Sequence, residues 1–575
     1  MPSRVGTGPG GTARLTPALT KTSLVTRSTV SAFALLAVWA WIFVEMDLFA
    51  VLGGITDIAN LVDYMLPANF DAFDRALALT LETFWMAVLG TFLAILMSVP
   101  LAFLAARNTT PHPVVYSIAR GIIVFTRAVP DLVFALIFVR ALSIGPLPGI
   151  LALAFHSIGM IGKLLADAIE QTDKQPREAV SSVGAGSLQT IVTTIIPQIT
   201  PAFISIALFR LDINLRSSTV LGLVGAGGVG LLLKETLGQI AYSEALGVVT
   251  VIFVFILLME ILAAGVRATL LRGEGGDLPG ARRWTLWGRK KLSTTVALQD
   301  TADSSPPLSN ARPVNSRVLP PWTRNRLVSA GYGYLFVGLV IAGFIAVDIN
   351  LIRFFTSFGD IFTFTLRMIP PDFVSAGPQI VSGMTETLAI AAVSTVLGSL
   401  LSIPLGFLAA VNVSVNRAVY SFTRVLLVII RGIPELILAI IFVAAIGLGP
   451  VAGIFALSLG TAGFLAKLIA DSVEEIDPAP REAITATGAT RFQELFTSVL
   501  PQVMPALIGQ LLYTFDINIR SSAILGIVGG GGIGFLLFNS MKVLAFDTTA
   551  AIIIAIFVVV YAIELLAGYV RKQVI

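Results

Sequence analysis

Apolar runs long enough to cross a bilayer recur along the whole chain, for example "SAFALLAVWAWIFVEM" from Ser31 and "VVTVIFVFILLMEILAAG" from Val248. In lipid a spanning backbone must satisfy its own polar groups, so runs of this length become helices. The composition agrees. Over 575 residues the chain is 56% hydrophobic and only 13% charged, against roughly 25% charged in an average soluble domain. That is too little polar surface for a soluble globule, and the fold expected is all-α and membrane-integral. A basic segment with Arg4, Arg14, Lys21 and Arg27 precedes the first run. It is long and the run continues to about Gly53, so it reads as a cytoplasmic tail before a first span rather than a cleaved leader. The chain has no cysteine and two histidines, His112 and His156, which exclude a disulfide framework and give no metal site. A net charge of +4 fits basic cytoplasmic loops and asks for no nucleic acid.

A repeat then fixes the organisation. "TRAVPDLVFALIFV" from Thr126 returns as "IRGIPELILAIIFV" from Ile430, and "DINLRSSTVLGLVGAGGVG" from Asp212 returns as "DINIRSSAILGIVGGGGIG" from Asp516. The offset is 304 in both cases. It also joins Glu82 to Glu386, Asp167 to Asp471, Pro197 to Pro501 and Glu260 to Glu564. Two copies of one membrane unit are fused. Expected spans are about 28–53, 78–106, 113–142, 147–170, 190–211 and 245–271, then 327–347, 381–411, 417–446, 451–474, 494–515 and 549–570. Six is even, so both units insert the same way up, related by a pseudo-twofold axis along the membrane normal. The expected division is a cytoplasmic tail 1–27, a first transmembrane domain 28–271, a linker 272–326 and a second domain 327–575. The linker holds ten Lys and Arg against four Asp and Glu, which with Arg267, Arg272, Arg571 and Lys572 assigns that side to the cytoplasm. The acidic stretch with Asp57, Asp63, Asp71 and Asp74 reads as an external loop.

The polar segment after the fourth span, "IEQTDKQPREAVSSVGAGSLQTIVTTIIPQITP" from Ile169, is matched by "VEEIDPAPREAITATGATRFQELFTSVLPQVMP" from Val473. Pro176 and Pro480 suit a first helical turn, Glu178 and Glu482 lie near its positive end, and Gly184 and Gly488 suit its end. A polar helix at the inner mouth of each unit offers a matched pair of docking knobs; an ordinary interfacial helix is the plainer alternative. Glu178-Ala179, Gly184 and Ile196-Pro197, repeated as Glu482-Ala483, Gly488 and Leu500-Pro501, resemble the EAA coupling loop of ABC importer permeases. With "GKLLADAIEQTD", "PQITPAFIS" and the aspartate-to-glycine stretch, the wider pattern resembles the phosphonate-type (PhnE-like) permease over most of both repeats.

That resemblance implies an inner-membrane permease subunit, not an enzyme, with both termini cytoplasmic. It would work by alternating access with two copies of a cytoplasmic ABC ATPase and an extracytoplasmic phosphonate-binding protein. The chain has no G-x-x-x-x-G-K-[ST] loop, so it carries no cofactor of its own, and ATP and Mg would sit on the partner ATPase. The implied cargo is a phosphonate or related phosphorus oxyanion. A permease for another small solute, or an ion-coupled carrier with parallel repeats, is the alternative.

"VGAGGVG" at Val224 satisfies the letters G-x-G-x-x-G, but a dinucleotide fingerprint needs a βαβ context that this membrane unit does not supply. A membrane-bound nucleotide-dependent oxidoreductase is therefore disfavoured. Gly225, Gly227 and Gly228, with Gly529, Gly531 and Gly532, are candidate gate or re-entrant glycines, with simple helix packing as the alternative. Ionisable groups at span breaks are costly and face a cavity or a partner. Arg216, Ser217 and Ser218, with Arg520, Ser521 and Ser522, are the first choice for lining an anion path, because guanidinium forks match oxyanions. Arg127 and Arg431 are further candidates. Pairing of Arg127 with Asp131, Arg431 with Glu435, Arg216 with Asp212 and Lys163 with Asp167 along one helix would give them structural roles instead. The copies differ at Arg140 and Ala444, His156 and Gly460, and Arg210 and Thr514.

Overall fold

The computed structural model describes residues 21–45, 48–270, 324–349 and 351–574. Most of the tail and most of the linker lie outside them. All regular structure among the described residues is helical. The first half comprises α1 (Lys21–Phe43), α2 (Leu48–Met65), α3 (Phe73–Ala105), α4 (Pro113–Ala128), α5 (Asp131–Leu142), α6 (Pro146–Glu170), α7 (Lys174–Ser182), α8 (Ile196–Leu221), α9 (Val229–Gly238) and α10 (Tyr242–Leu270). The second repeats the order as α11 (Arg324–Ala346), α12 (Leu351–Leu366), α13 (Phe373–Leu408), α14 (Arg417–Gly432), α15 (Glu435–Ile446), α16 (Pro450–Glu474), α17 (Pro478–Ala486), α18 (Leu500–Leu525), α19 (Ile533–Lys542) and α20 (Phe546–Val574).

Eight of these elements are apolar and long enough to span, and two bent pairs add two more crossings. α1 and α11 carry shorter apolar windows and stand where the first span of each half is expected. Three details differ from the sequence expectation. The first span stops at Phe43 instead of Gly53, and α2 is a separate helix over part of the stretch expected as an external loop; α12 is its counterpart. The third span is broken: α4 and α5 meet at 89°, and α14 and α15 at 80°. Pro130 and Pro434 stand at the breaks as N-caps of the following helices, where the missing N–H and fixed φ stop the preceding helix from continuing. The fifth span runs past Arg210 to Leu221. A short helix and a π-helical turn, Ile191–Ile195, lead into it, because Pro197 cannot donate the next helical bond.

The central pair in each half is α3 against α6, and α13 against α16. Their contact is lined by small residues. A Cβ on Gly90 would lie 2.8 Å from the Leu153 side chain, and one on Gly406 would lie 2.6 Å from Ile469. Without a hydrophobic drive between helices in lipid, such close approach supplies the attraction.

The halves exchange their first helices. α1 packs on α13, α18 and α20 of the second half, and α11 packs on α3 and α10 of the first. Ala40 is fully buried in a cluster with Ala389, Ala392 and Leu436. Similarly α2 lies against α15, and α12 against α5.

Candidate functional site: a charged ring between the halves

The breaks after α4 and α14 place Arg127 and Arg431 at the last turn of each helix, where the halves meet. Gly159 and Gly463 on the neighbouring helices let them approach. A Cβ on Gly159 would lie 2.6 Å from the Arg127 backbone nitrogen, and one on Gly463 3.1 Å from Arg431 Cγ. Across the interface Arg127 pairs with Glu564 of α20. The pseudo-symmetric Arg431 reaches Glu260 of α10 at 3.8 Å. Glu260 also meets Arg216 of its own half at 3.7 Å, and Arg216 meets Asp212 at 3.3 Å. Arg520 meets Asp516 at 2.5 Å and donates to the Arg127 carbonyl across the interface at 3.5 Å.

Four arginines and four carboxylates thus form two matched clusters that together make a belt along the seam. All eight side chains are between 14% and 24% exposed, as charges lining a narrow polar seam would be. The belt corrects two sequence expectations. Arg127 does not pair with Asp131, nor Arg431 with Glu435, because the helix break destroys the i, i+4 register on which that pairing depends. The expected Arg216–Asp212 and Arg520–Asp516 pairs are present. The sequence reading overlooked Glu260 and Glu564 as site residues. Their recurrence at the repeat offset, as lone acids in the most apolar runs, was the available signal.

Ser218 and Ser522 are fully buried. They donate to the Leu215 and Ile519 carbonyls of their own helices. Ser217 and Ser521 are half-buried beside the belt arginines.

Beyond the belt each half carries its glycine turn. After α8 and a 3-10 turn the chain reverses through Gly225, Gly227 and Gly228, at φ 92°, 80° and 78°, into α9. Gly529, Gly531 and Gly532 do the same at 94°, 80° and 78° before α19. These are left-handed values that L side chains adopt at a cost. The turn is pinned from α3: Glu82 Oε1 accepts from the Gly228 N–H at 3.0 Å, and Thr83 Oγ1 from Val229 N–H at 2.9 Å. In the second half Thr387 Oγ1 accepts from Ile533 N–H at 2.8 Å. A Cβ on Gly227 would lie 2.8 Å from Glu82 Oε1, and one on Gly531 2.6 Å from Glu386 Oε1. The glycines therefore serve a pinned turn that follows a helix, and no strand precedes it. The turn opens onto α9 and α19, where Lys234 and Lys542, from opposite halves, are electrostatic neighbours.

At the opposite end lie α7 and α17. Asp173 caps α7 by accepting from Gln175 N–H at 3.0 Å, and Asp477 caps α17 by accepting from Ala479 N–H at 3.0 Å. Gly184 and Gly488, at φ 84° and 81°, end the helical segments. Neither helix buries any residue. Glu178, Ala179, Gly184, Glu482, Ala483 and Gly488 are all exposed. Beside them stand exposed apolar groups: Val183 (81%) and Leu188 (74%) in one half, Phe492 (71%) in the other. These short helices are fastened to the membrane helices. Glu170 at the end of α6 accepts from Arg107 N–H at 2.9 Å and from Arg120 at 3.0 Å. Glu474 repeats this with Val411 N–H at 2.9 Å and Arg424 at 2.7 Å. Asp173 N–H donates to Gln198 of α8 at 2.9 Å, while Arg481 of α17 holds Glu494 and the Asn412 carbonyl. Lys467 pairs with Asp471 at 2.6 Å, and Asp167 meets Arg120 at 3.5 Å.

No group of three or more potential metal ligands occurs among the described residues. His156 lies against the α4–α5 break, its Nδ1 3.0 Å from the Val129 carbonyl.

Both halves match one family model, the binding-protein-dependent transport system inner membrane component, over residues 98–272 and 402–575. The chain belongs to that family. The phosphate-import permease protein PhnE of Mycolicibacterium smegmatis is 47% identical over 542 residues, 94% of this chain and 93% of that one. The phosphite transport system permease protein PtxC of Stutzerimonas stutzeri is 37% identical, over 41% of this chain and 86% of its own length. The methionine import system permease protein MetP of Bacillus subtilis is 34% identical, over 28% of this chain and 76% of its own. The chain is therefore a fused, two-unit permease, a multi-pass protein of the inner membrane.

Proposed function

We propose that this permease carries phosphorus oxyanions inward, driven by two copies of a separate ATPase docked on α7 and α17. Cargo would be delivered to the opposite mouth by an extracytoplasmic binding protein. The tail, the linker and both termini are then cytoplasmic, and residues 28–271 and 327–575 act as the two transport domains. The observation that carries this reading is the belt of arginines at the seam. Each guanidinium can offer two parallel donors to an oxyanion, and the relatives named for phosphate and phosphite point to the same cargo class.

The belt is neutral while its carboxylates are in place. An arriving oxyanion can replace Glu260 or Glu564 at Arg431 or Arg127, and in doing so it breaks contacts that cross the interface. Rocking of the halves breaks the same contacts, so cargo passage and gate opening share one step. Pairs within a half, Arg216 with Asp212 and Arg520 with Asp516, survive rocking. Lys234 and Lys542 give the glycine-turn end a positive approach.

The test is uptake into proteoliposomes holding the permease with its ATPase and binding protein. ATP-dependent accumulation of phosphate, phosphite or an alkylphosphonate, unaffected by excess methionine, is expected. Uptake by the permease alone under an ion gradient, or methionine uptake, would overturn the proposal.

A further inference from the structure

The two halves agree closely in backbone but not in what they bury beside the belt. In the first half Arg210 is 2% exposed. Its Nε donates to Ser157 Oγ at 2.7 Å, and its Nη1 lies 3.3 Å from Met160 Sδ. Its Nη2 is buried with no hydrogen-bond partner. Asp131 and His156 are its near charged and titratable neighbours, and Arg520 of the other half reaches His156. Asp131 is 9% exposed, and its Oδ1 is taken up by the Leu132 N–H at 2.9 Å.

The second half removes this cluster. Thr514 replaces Arg210 and donates to its own helix, to the Gln510 carbonyl at 2.8 Å. Gly460 replaces His156, and the longer Glu435 fills the space: a Cβ on Gly460 would lie 2.6 Å from Glu435 Cγ. In place of a cation with a free donor stands a packed carboxylate side chain. A buried guanidinium with an unmade bond is costly and calls for an acceptor.

We propose that Arg210, with His156 beside it, forms an anion-holding station built into one half only, so that the cargo rests on the first half's side of the seam during transit. The station rests on the oxyanion reading above and adds its location and asymmetry. Nη2 of Arg210 supplies the donor, and this buried guanidinium has no counterpart across the axis, where Thr514 stands.

Arg210→Thr installs the residue the second half already folds with, and Arg210→Lys keeps charge while losing the fork. Both are reconstituted with the ATPase and binding protein, and inorganic phosphate uptake and ATP hydrolysis are measured together. Wild-type uptake of phosphate, phosphite or an alkylphosphonate is the control for the underlying reading: if none is taken up the oxyanion assignment fails, whatever Arg210 does, and if another of the three is the cargo it replaces phosphate as the probe. Given that uptake, Arg210→Thr is expected to lower phosphate moved per ATP hydrolysed about tenfold or more, the value of a charge-assisted hydrogen bond. Hydrolysis stimulated by the loaded binding protein should stay within about twofold of wild type. Arg210→Lys should fall between. Thr514→Ser, at the matching site, should leave the ratio unchanged. An unaltered ratio in Arg210→Thr overturns the station. Should that variant fail to assemble, His156→Gly, again the second half's residue, takes its place, and an unaltered ratio there has the same meaning. Equal losses at Arg210 and Thr514 would also overturn it, because the asymmetry would be gone.

Discussion

Each arginine of the belt is held by a carboxylate, and each carboxylate by an arginine, so single substitutions unbalance the seam. Glu260 serves two arginines, one in each half. Glu260→Gln removes a carboxylate from both, and a loss of about 1–3 kcal/mol is expected, between an exposed ion pair and a fully buried one. Thermal unfolding of the purified protein checks it, and Glu260→Gln combined with Arg431→Gln should recover part of the loss. Gly227 faces a second kind of constraint, its left-handed φ of 80° and the nearby Glu82 carboxylate. Gly227→Ala should cost about 1–2 kcal/mol from backbone handedness, and more from crowding. Gly238→Ala meets no atoms within 4 Å and should cost little in the same melting experiment.

At the scale of elements, the proposed ATPase docking makes α7 and α17 short levers. α7 buries no residue fully, yet it is bound through Asp173 to α8 and follows an α6 end held by Arg107 and Arg120. Gly184→Val and Gly488→Val are expected to uncouple hydrolysis from uptake, because a β-branched residue resists the left-handed φ on which the return of the chain depends. Equal uptake and hydrolysis ratios in mutant and wild type would refute this. Much of this level was readable in the sequence. Pro176 and Gly184 mark the first turn and the end of α7 in letters, the repeat offset located its partner, and the long spans followed from apolar runs. The broken third span was not read, although Pro130 and Pro434 signal it, because its two parts together are long and apolar enough to pass as one. Helix α2 was hidden by its acidic residues, which suggested a loop. The cross-seam pairs Arg127–Glu564 and Arg431–Glu260 join residues far apart in sequence, and no local pattern can announce such contacts.

The whole molecule is two units laced together. Exchanged helices, α2 against α15, and the belt all cross between halves. Cleavage at a protease site inserted in the linker should therefore leave the halves together. A tag on one half should retain the other through size-exclusion chromatography in detergent, and recovery of one half alone would refute the prediction. The exchange of first helices also bears on how the chain is made. Ala40 finds its neighbours Ala389 and Ala392 only after some 350 further residues have left the ribosome. Until then α1 has lipid where its seat should be, and the finished first half has a bare flank on α3 awaiting α11. Biogenesis of this permease cannot proceed as two self-sufficient modules. The fold closes only when the last half reaches back to clasp the first.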